Sequence, residues 1–328
     1  MKVKFGFVPV GGAKSFQAAL NEVCLAEKLG FDSAWVQERH LQQNHTWSAP
    51  LVAAMGFVTH TSRLLIGTDI LVYPFYHPMR LAEEVALLDI ISKGRFVFGT
   101  AIGYRPDEFA FYGVQLERRG TRFEEGLKLM KTLWVEDTSI FHGQYYTVEN
   151  VRFEPKPFSK PHPPIWVGGY GPLMIRRAAL IGDAWIPGSV LDLSDLLERK
   201  RSILKHRSVA GLPPRSEWPL TRDVIIANTN EEARELANRY ILSFYRNQYL
   251  NYQHPTVKSD IVADLDTLVK ERCIVGNPEN VAAGVRFFIE KYGVTHLICR
   301  FSVGGMPHAY VLKELKLFAQ EVMPLFKP

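Results

Sequence analysis

The sequence predicts a single (β/α)8 barrel, with extra material after its fourth and seventh strands. Three observations predict it. Short apolar runs of strand character alternate with longer segments of helical period, the pattern of repeated β-α units around a parallel sheet. Several of those runs pass straight into polar or glycine-rich loops, as in Asp32-Ser-Ala-Trp-Val-Gln-Glu-Arg-His40 and Gly94-Arg-Phe-Val-Phe-Gly-Thr-Ala-Ile-Gly-Tyr104, and parallel α/β folds place their chemistry at such strand ends. The chain has 328 residues, a length that suits one barrel with insertions.

Each element has its own warrant. Val3–Val8 reads as the first strand, followed by a helix over Ser15–Lys28 with apolar residues at helical spacing and Gly30 as its breaker. Ser33–Gln37 is the second strand and Leu64–Val72 the third, with a helix over Pro50–His60 between them. His77-Pro78 supplies the proline favoured at a helix start, so a helix is expected over Pro78–Ser92. Arg95–Gly99 is the fourth strand, and a helix over Arg119–Trp134 follows it. The period then breaks. Tyr145–Thr147 and Val151–Phe153 read as a small hairpin ahead of a cluster of prolines at 155, 157, 161, 163 and 164, an insertion of about 135–164 within one domain rather than a boundary. Ile165–Val167, Ala184–Ile186, Arg222–Ala227 and His296–Phe301 complete the eight strands. The competing doubly wound sheet wants Gly-x-Gly-x-x-Gly after its first strand, and Val8-Pro-Val-Gly-Gly12 does not match.

A content of 47% hydrophobic and 22% charged residues supports a large core without disulfides or metal. The three cysteines, Cys24, Cys273 and Cys299, are far apart and read as reduced, which suits the cytoplasm. No secretion signal and no spanning apolar run is found. A formal charge of +5 is spread along the chain, which argues against nucleic acid as a partner. Metal is not expected, because His40, His45, His60 and His77 lack a paired ligand spacing and there is no Cys-x-x-Cys. Neither a Gly-x-Ser-x-Gly elbow nor a Walker loop is present, which disfavours serine and nucleotide hydrolases.

In a barrel the loops after the strands share one mouth. The second strand delivers Glu38, Arg39 and His40 there. A histidine in that position suits proton transfer, with the Glu38 carboxylate to orient or charge it, although a loop histidine bonded to backbone is the plainer alternative. Gly168-Gly169-Tyr170-Gly171-Pro172 precedes a helix over Leu173–Ile181, so its backbone amides form a candidate phosphate cradle, or an ordinary turn. Trp35, Trp47, Tyr73, Phe75, Tyr76, Tyr104 and Trp166 offer aromatic surface for a flat ring system, or simply core. The loop His206–Trp218 and the Tyr-, Asn- and Gln-rich segment Phe244–Asp260 are expected to form a mobile cover over the mouth, about 206–260 in all, that selects substrate.

Four stretches together resemble the bacterial luciferase-like flavin monooxygenase superfamily: Thr68–Gly99, Tyr104-Arg-Pro-Asp-Glu-Phe109 with Gly113, Ile274-Val-Gly-Asn-Pro-Glu-Asn-Val281, and Gly293–Phe301. The resemblance implies a (β/α)8 barrel, usually a homodimer, binding FMN or the deazaflavin F420 at its mouth. In the FMN branch, reduced FMN from a separate reductase reacts with O2 to give a flavin C4a-(hydro)peroxide, which oxygenates a small organic substrate. On this resemblance His40 handles protons and Glu38 orients it; Thr68 and Asp69 lie near the isoalloxazine; Ala101, Ile102 and Tyr104 line the cofactor cleft; Gly168, Gly169, Tyr170 and Gly171 cradle the phosphate. Two positions depart from luciferase. Arg39 stands where luciferase has the first of two adjacent histidines, and Ile102 where it has an arginine, so a light-emitting subunit is not expected. Arg39, a fork-shaped donor, is an alternative ligand for a phosphate or an acidic substrate. Two other readings compete: an F420-dependent oxidoreductase that moves hydride without O2, and a non-catalytic flavin-binding barrel.

Overall fold

Breakers and caps in the sequence set the elements of the computed structural model, which describes residues 3–11, 15–41, 47–250, 254, 256–257, 259–262 and 264–326. Gly12, His45 and parts of the 206–260 stretch lie outside the described residues. The first half comprises β1 (Lys4–Phe7), α1 (Phe16–Leu29), β2 (Ser33–Val36), α2 (Pro50–Thr59), β3 (Leu65–Thr68), β4 (Leu71–Val72), α3 (Pro78–Ser92), β5 (Phe96–Ala101), α4 (Pro106–Phe111) and α5 (Arg119–Val135). After it come β6 (Ser139–His142), β7 (Thr147–Val151), β8 (Ile165–Gly168), α6 (Pro172–Leu180), β9 (Ala184–Ile186), α7 (Leu193–Val209) and β10 (Pro219–Ile226). The chain finishes with α8 (Asn230–Leu236), α9 (Leu265–Arg272), β11 (Cys273–Gly276), α10 (Pro278–Tyr292), β12 (His296–Arg300) and α11 (His308–Leu317). Pro78 starts α3 as expected, and the His77 side chain adds a cap by accepting from the Met79 amide; Asn277 does the same for Asn280 at α10.

The main sheet runs β11-β10-β12-β1-β2-β3-β5-β8-β9, with β4 beside β5, and its neighbours are parallel throughout. It curls on itself. Trp35 of β2 and Trp166 of β8 are three places apart in the ladder, yet their rings stack at 4.6 Å, and both stand edge-on to His296 of β12. The Thr221 hydroxyl on β10 likewise donates to Asp69 beyond β3. Inside the curl Val8, Trp35, Val97, Trp166, Ala184, Ile186 and Ile298 form a core of their own, separate from the larger one between sheet and helices. The Trp35 indole fits because its neighbours are small: a Cβ at Gly67 would meet its ring at 2.3 Å, and one at Gly6 its Nε1 at 2.8 Å.

Four expectations need correction. The third strand is not continuous over Leu64–Val72: the Ile70 carbonyl accepts from the Glu38 amide and the Val72 amide donates to the Glu38 carboxylate, which divides it into β3 and β4. The hairpin pairs β6 with β7 antiparallel, so the turn falls at Gly143–Tyr146 and Tyr145 and Tyr146 belong to it. β11 was not foreseen; it takes the second half of β10, while β12 takes the first. The loop His206–Trp218 does not cover the mouth. His206–Val209 finish α7, and the rest leads into the start of β10, where the Trp218 amide donates to Thr295 and Lys4 pairs with Glu217, at the opposite end of the barrel.

Candidate active site

The carboxyl ends of the strands surround a cavity of about 750 Å3, within the range of cofactor and substrate sites. Its apolar surface comes from Ile70, Val72, Ala101, Ile102 and Ile186. Ten of the expected site residues line it: Glu38, Arg39, Asp69, Ala101, Ile102, Tyr104, Gly168, Gly169, Tyr170 and Gly171; His40 and Thr68 do not.

One corner gathers groups whose chemistry suits an anion. Gly168 ends β8, Gly169 has φ +138°, and a Cβ there would approach Met174 to 2.7 Å, so glycine is required. Gly171 caps α6, whose first turn points its positive end at the cavity. Arg177 of α6 lies against Gly120 at the start of α5, where an added Cβ would be 2.9 Å from its Nη1, and its Nε donates to Glu124 at 3.2 Å. Beside it Arg119 donates through Nη1 to the Leu116 carbonyl at 2.5 Å, while its buried Nε has no partner among the described residues. An orphaned buried donor next to a helix start suits a phosphate.

The Glu38-Arg39-His40 triplet splits. The Glu38 side chain has no exposed surface. It accepts from His40 Nε2 at 2.8 Å, the Tyr76 hydroxyl at 2.9 Å and the Val72 amide at 2.5 Å. Burial pushes its carboxyl above the ordinary range against the pull of those three partners. His40 is also engaged at Nδ1, 3.0 Å from the Tyr112 hydroxyl, and its ring packs edge-on to Phe75 and Tyr112. Together they form a clasp, with Glu38 in the wall and His40 behind it. Arg39 points the other way, into the cavity, and its guanidinium lies over the rings of Phe244 at 5.9 Å and Tyr249 at 5.8 Å.

Thr68 ties β3 to β5, donating to the Gly99 carbonyl at 2.6 Å and accepting from its amide at 3.0 Å, and is fully buried. Asp69 does face the cavity. Its Oδ2 accepts from Gln37 at 3.3 Å and Thr221 at 3.0 Å, and burial raises its pKa to about 6 against the pull of those partners and of Arg300 and Arg39. The Asp69–Ile70 peptide is cis.

Several lining groups were not singled out from the sequence: Arg119, Arg177, Tyr249, His254 and Arg300. Arg300, at the end of β12, forks onto Asp223 at 2.5 and 3.0 Å and reaches the Tyr249 hydroxyl at 3.4 Å. Burial pushes the Tyr249 phenol up, but Arg300 and Arg39 outweigh it and hold the group below its ordinary range. The His254 ring packs against Tyr104, Tyr170 and Tyr249 at 5.0 to 5.3 Å. Its Nδ1 accepts from the Thr256 amide at 3.3 Å, which places the ring proton on Nε2. Burial, then Arg39, brings its pKa down to about 4, so it is uncharged at neutral pH. Tyr249 and His254 fall in the segment Phe244–Asp260 expected at the mouth, and an arginine ending a buried strand was the sequence signal for Arg300. Of the 206–260 stretch, Tyr249 and His254 are the described residues at the cavity.

The family model described as luciferase-like monooxygenase matches residues 4–296. The chain belongs to the luciferase-like monooxygenase family. Its relatives are flavin- or F420-dependent enzymes. It is similar to an F420-dependent glucose-6-phosphate dehydrogenase of Kineococcus radiotolerans, 27% identical over 92% of this chain and 91% of that protein. A flavin-dependent trigonelline monooxygenase, oxygenase component, of Acinetobacter baylyi is 29% identical over 66% of this chain and 61% of that protein. Among solved structures, monooxygenase RslO1 of Streptomyces bottropensis superposes with a TM-score of 0.85 at 24% identity, covering 99% of this luciferase-like chain and all of that one. The curled parallel sheet is thus the luciferase-like barrel, and this chain is an enzyme of that family's flavin- or F420-dependent oxidoreductases and monooxygenases.

Proposed function

We propose that the protein is the oxygenase half of a two-component flavin monooxygenase, taking reduced FMN from a separate reductase and inserting one oxygen atom of O2 into a small organic substrate. The observation that carries the reading is the pairing of a wide apolar slot with an anion-binding corner in one cavity. The residues present fit a phosphorylated planar cofactor: the orphaned Arg119 Nε, Arg177 and the Gly168–Gly171 turn would hold its phosphate, and Ile70, Val72, Ala101, Ile102 and Ile186 would meet its ring. Bound reduced flavin supplies the electrons that activate O2. The protein supplies the rest. Tyr104, Tyr170, Tyr249 and His254 close over the open side and exclude water. Asp69, with Oδ1 free of hydrogen bonds among the described residues and a pKa near 6, is the group we assign to hold and release a proton. The Glu38–His40 clasp holds the wall in position. A cytoplasmic homodimer forming one domain per chain completes the proposal.

Equilibrium binding of FMN, riboflavin and F420 to the purified chain tests it. FMN is expected to bind, and photoreduced FMN to consume O2 in the protein's presence with substrate. Arg177→Met is expected to weaken FMN about tenfold or more while leaving riboflavin, which has no phosphate, nearly unchanged. Tight F420 binding without FMN binding overturns the choice of cofactor and favours hydride transfer.

A further inference from the structure

The cavity-lining arginines do not stand alike. Arg300 is forked onto Asp223, Arg105 onto Asp107 with Glu108 close by, Arg177 reaches Glu124 and Arg119 reaches a carbonyl. Arg39 has no hydrogen bond from its side chain and no ion pair among the described residues; its contacts are the two aromatic faces of Phe244 and Tyr249. Rings over a guanidinium cover its flat faces and leave the N–H donors, which radiate in its plane, uncommitted. A half-buried guanidinium without an anion is costly to hold, and a fork of that shape matches a carboxylate.

We propose, resting on the flavin-enzyme reading above, that Arg39 is the substrate-recognition residue of this cavity and that the substrate class is a small organic monocarboxylate. Its carboxylate takes the Arg39 fork, its second oxygen lies within the field of the His254 Nε2–H, and its apolar body lies against Tyr104, Tyr170 and Tyr249. Neither cavity carboxyl flanking it forms an ion pair with Arg39: Glu38 gives its oxygens to His40, Tyr76 and the Val72 amide, and Asp69, which feels the Arg39 charge, gives its Oδ2 to Gln37 and Thr221. The phosphate corner uses other donors: Arg119 of α5, Arg177 of α6 and the amides of the Gly168–Gly171 turn after β8, with the Tyr170 ring as the wall that the two subsites share. His254 and Arg39 both donate, so the subsite selects an acceptor of negative charge over a neutral amide, which would present its own donors to them.

Calorimetric titration of the full chain, with and without FMN, tests the assignment using benzoate, phenylacetate and butyrate beside their primary amides. At least one acid is expected to bind about tenfold or more tightly than its amide. Arg39→Gln is expected to abolish that preference, and Arg39→Lys, which keeps charge but loses the fork, to reduce it. FMN affinity in both variants is expected to stay within about twofold of the parent. Three results overturn the assignment: no acid binds, acids and amides bind alike, or the preference survives Arg39→Gln. A loss of FMN affinity of about tenfold in Arg39→Gln also overturns it, because the guanidinium then serves the cofactor. If FMN fails to bind the parent chain while the acid preference and its loss in Arg39→Gln are seen, the cofactor reading fails and the carboxylate subsite stands.

Discussion

Glu38 gives both carboxylate oxygens to the protein itself, joining the segment after β2 to the end of β4, to Tyr76 and to His40. Glu38→Gln should therefore act on stability first: a loss of about 1–3 kcal/mol in urea unfolding is expected, with FMN affinity little changed. Asp69 carries the opposite signature. Its pKa is raised in the fold from an ordinary 3.8 to about 6, so the native state keeps a proton that the unfolded chain releases. The Asp69 contribution to stability should fall as pH rises from about 4 to about 6, by about 1–3 kcal/mol, and then level off. The stability of the parent relative to Asp69→Asn, read from unfolding curves across that window, should fall by that amount, because Glu22 and His254, displaced to about 7 and about 4, titrate alike in both proteins. Sequence alone pointed to the Glu38-Arg39-His40 triplet, and not to which member faces the cavity. Side chains alternate in extended chain, so Glu38 and His40 go one way and Arg39 the other, and nothing local to the triplet says which side is the mouth. His254 lies in the segment Phe244–Asp260 expected over the mouth, but its own place was not legible, because it depends on Tyr104 and Tyr170 from distant elements as well as on nearby Tyr249.

At the scale of elements, the barrel interior depends on small residues beside large ones. Gly6 and Gly67 sit on the strands flanking β2, and Trp35 fills the space that they leave. Gly67→Ala is expected to cost about 1–3 kcal/mol, read as a lowered Tm, because the indole cannot move without disturbing its stack on Trp166. The strand-helix alternation was legible along most of the chain because each apolar run is bounded by a glycine, a proline or a cap. β11 escaped notice because four residues carry too little period to separate a strand from a helix end. The break between β3 and β4 escaped because a side chain from another strand, Glu38, causes it. The His206–Trp218 loop was assigned to the wrong end since composition does not tell a connection that enters a strand from one that leaves it.

Across the whole molecule the two ends of the barrel divide the work. Cavity, arginines and tyrosines gather where strands end, and the connections that enter the strands carry packing and ion pairs such as Lys4–Glu217. No helix among the described residues is long and apolar enough to cross a membrane. The turn Ala210–Pro214 lies on the entering side, exposed throughout, while Arg215 behind it anchors to the carbonyls of Ala179 and Gly182 at 3.2 and 2.6 Å. A short Gly/Ser insertion at Gly211 should leave Tm and FMN affinity essentially unchanged, as thermal melts and titration will show. That makes the turn a handle: a second domain fused there, or a surface attachment made there, would sit at the end of the barrel away from the cavity.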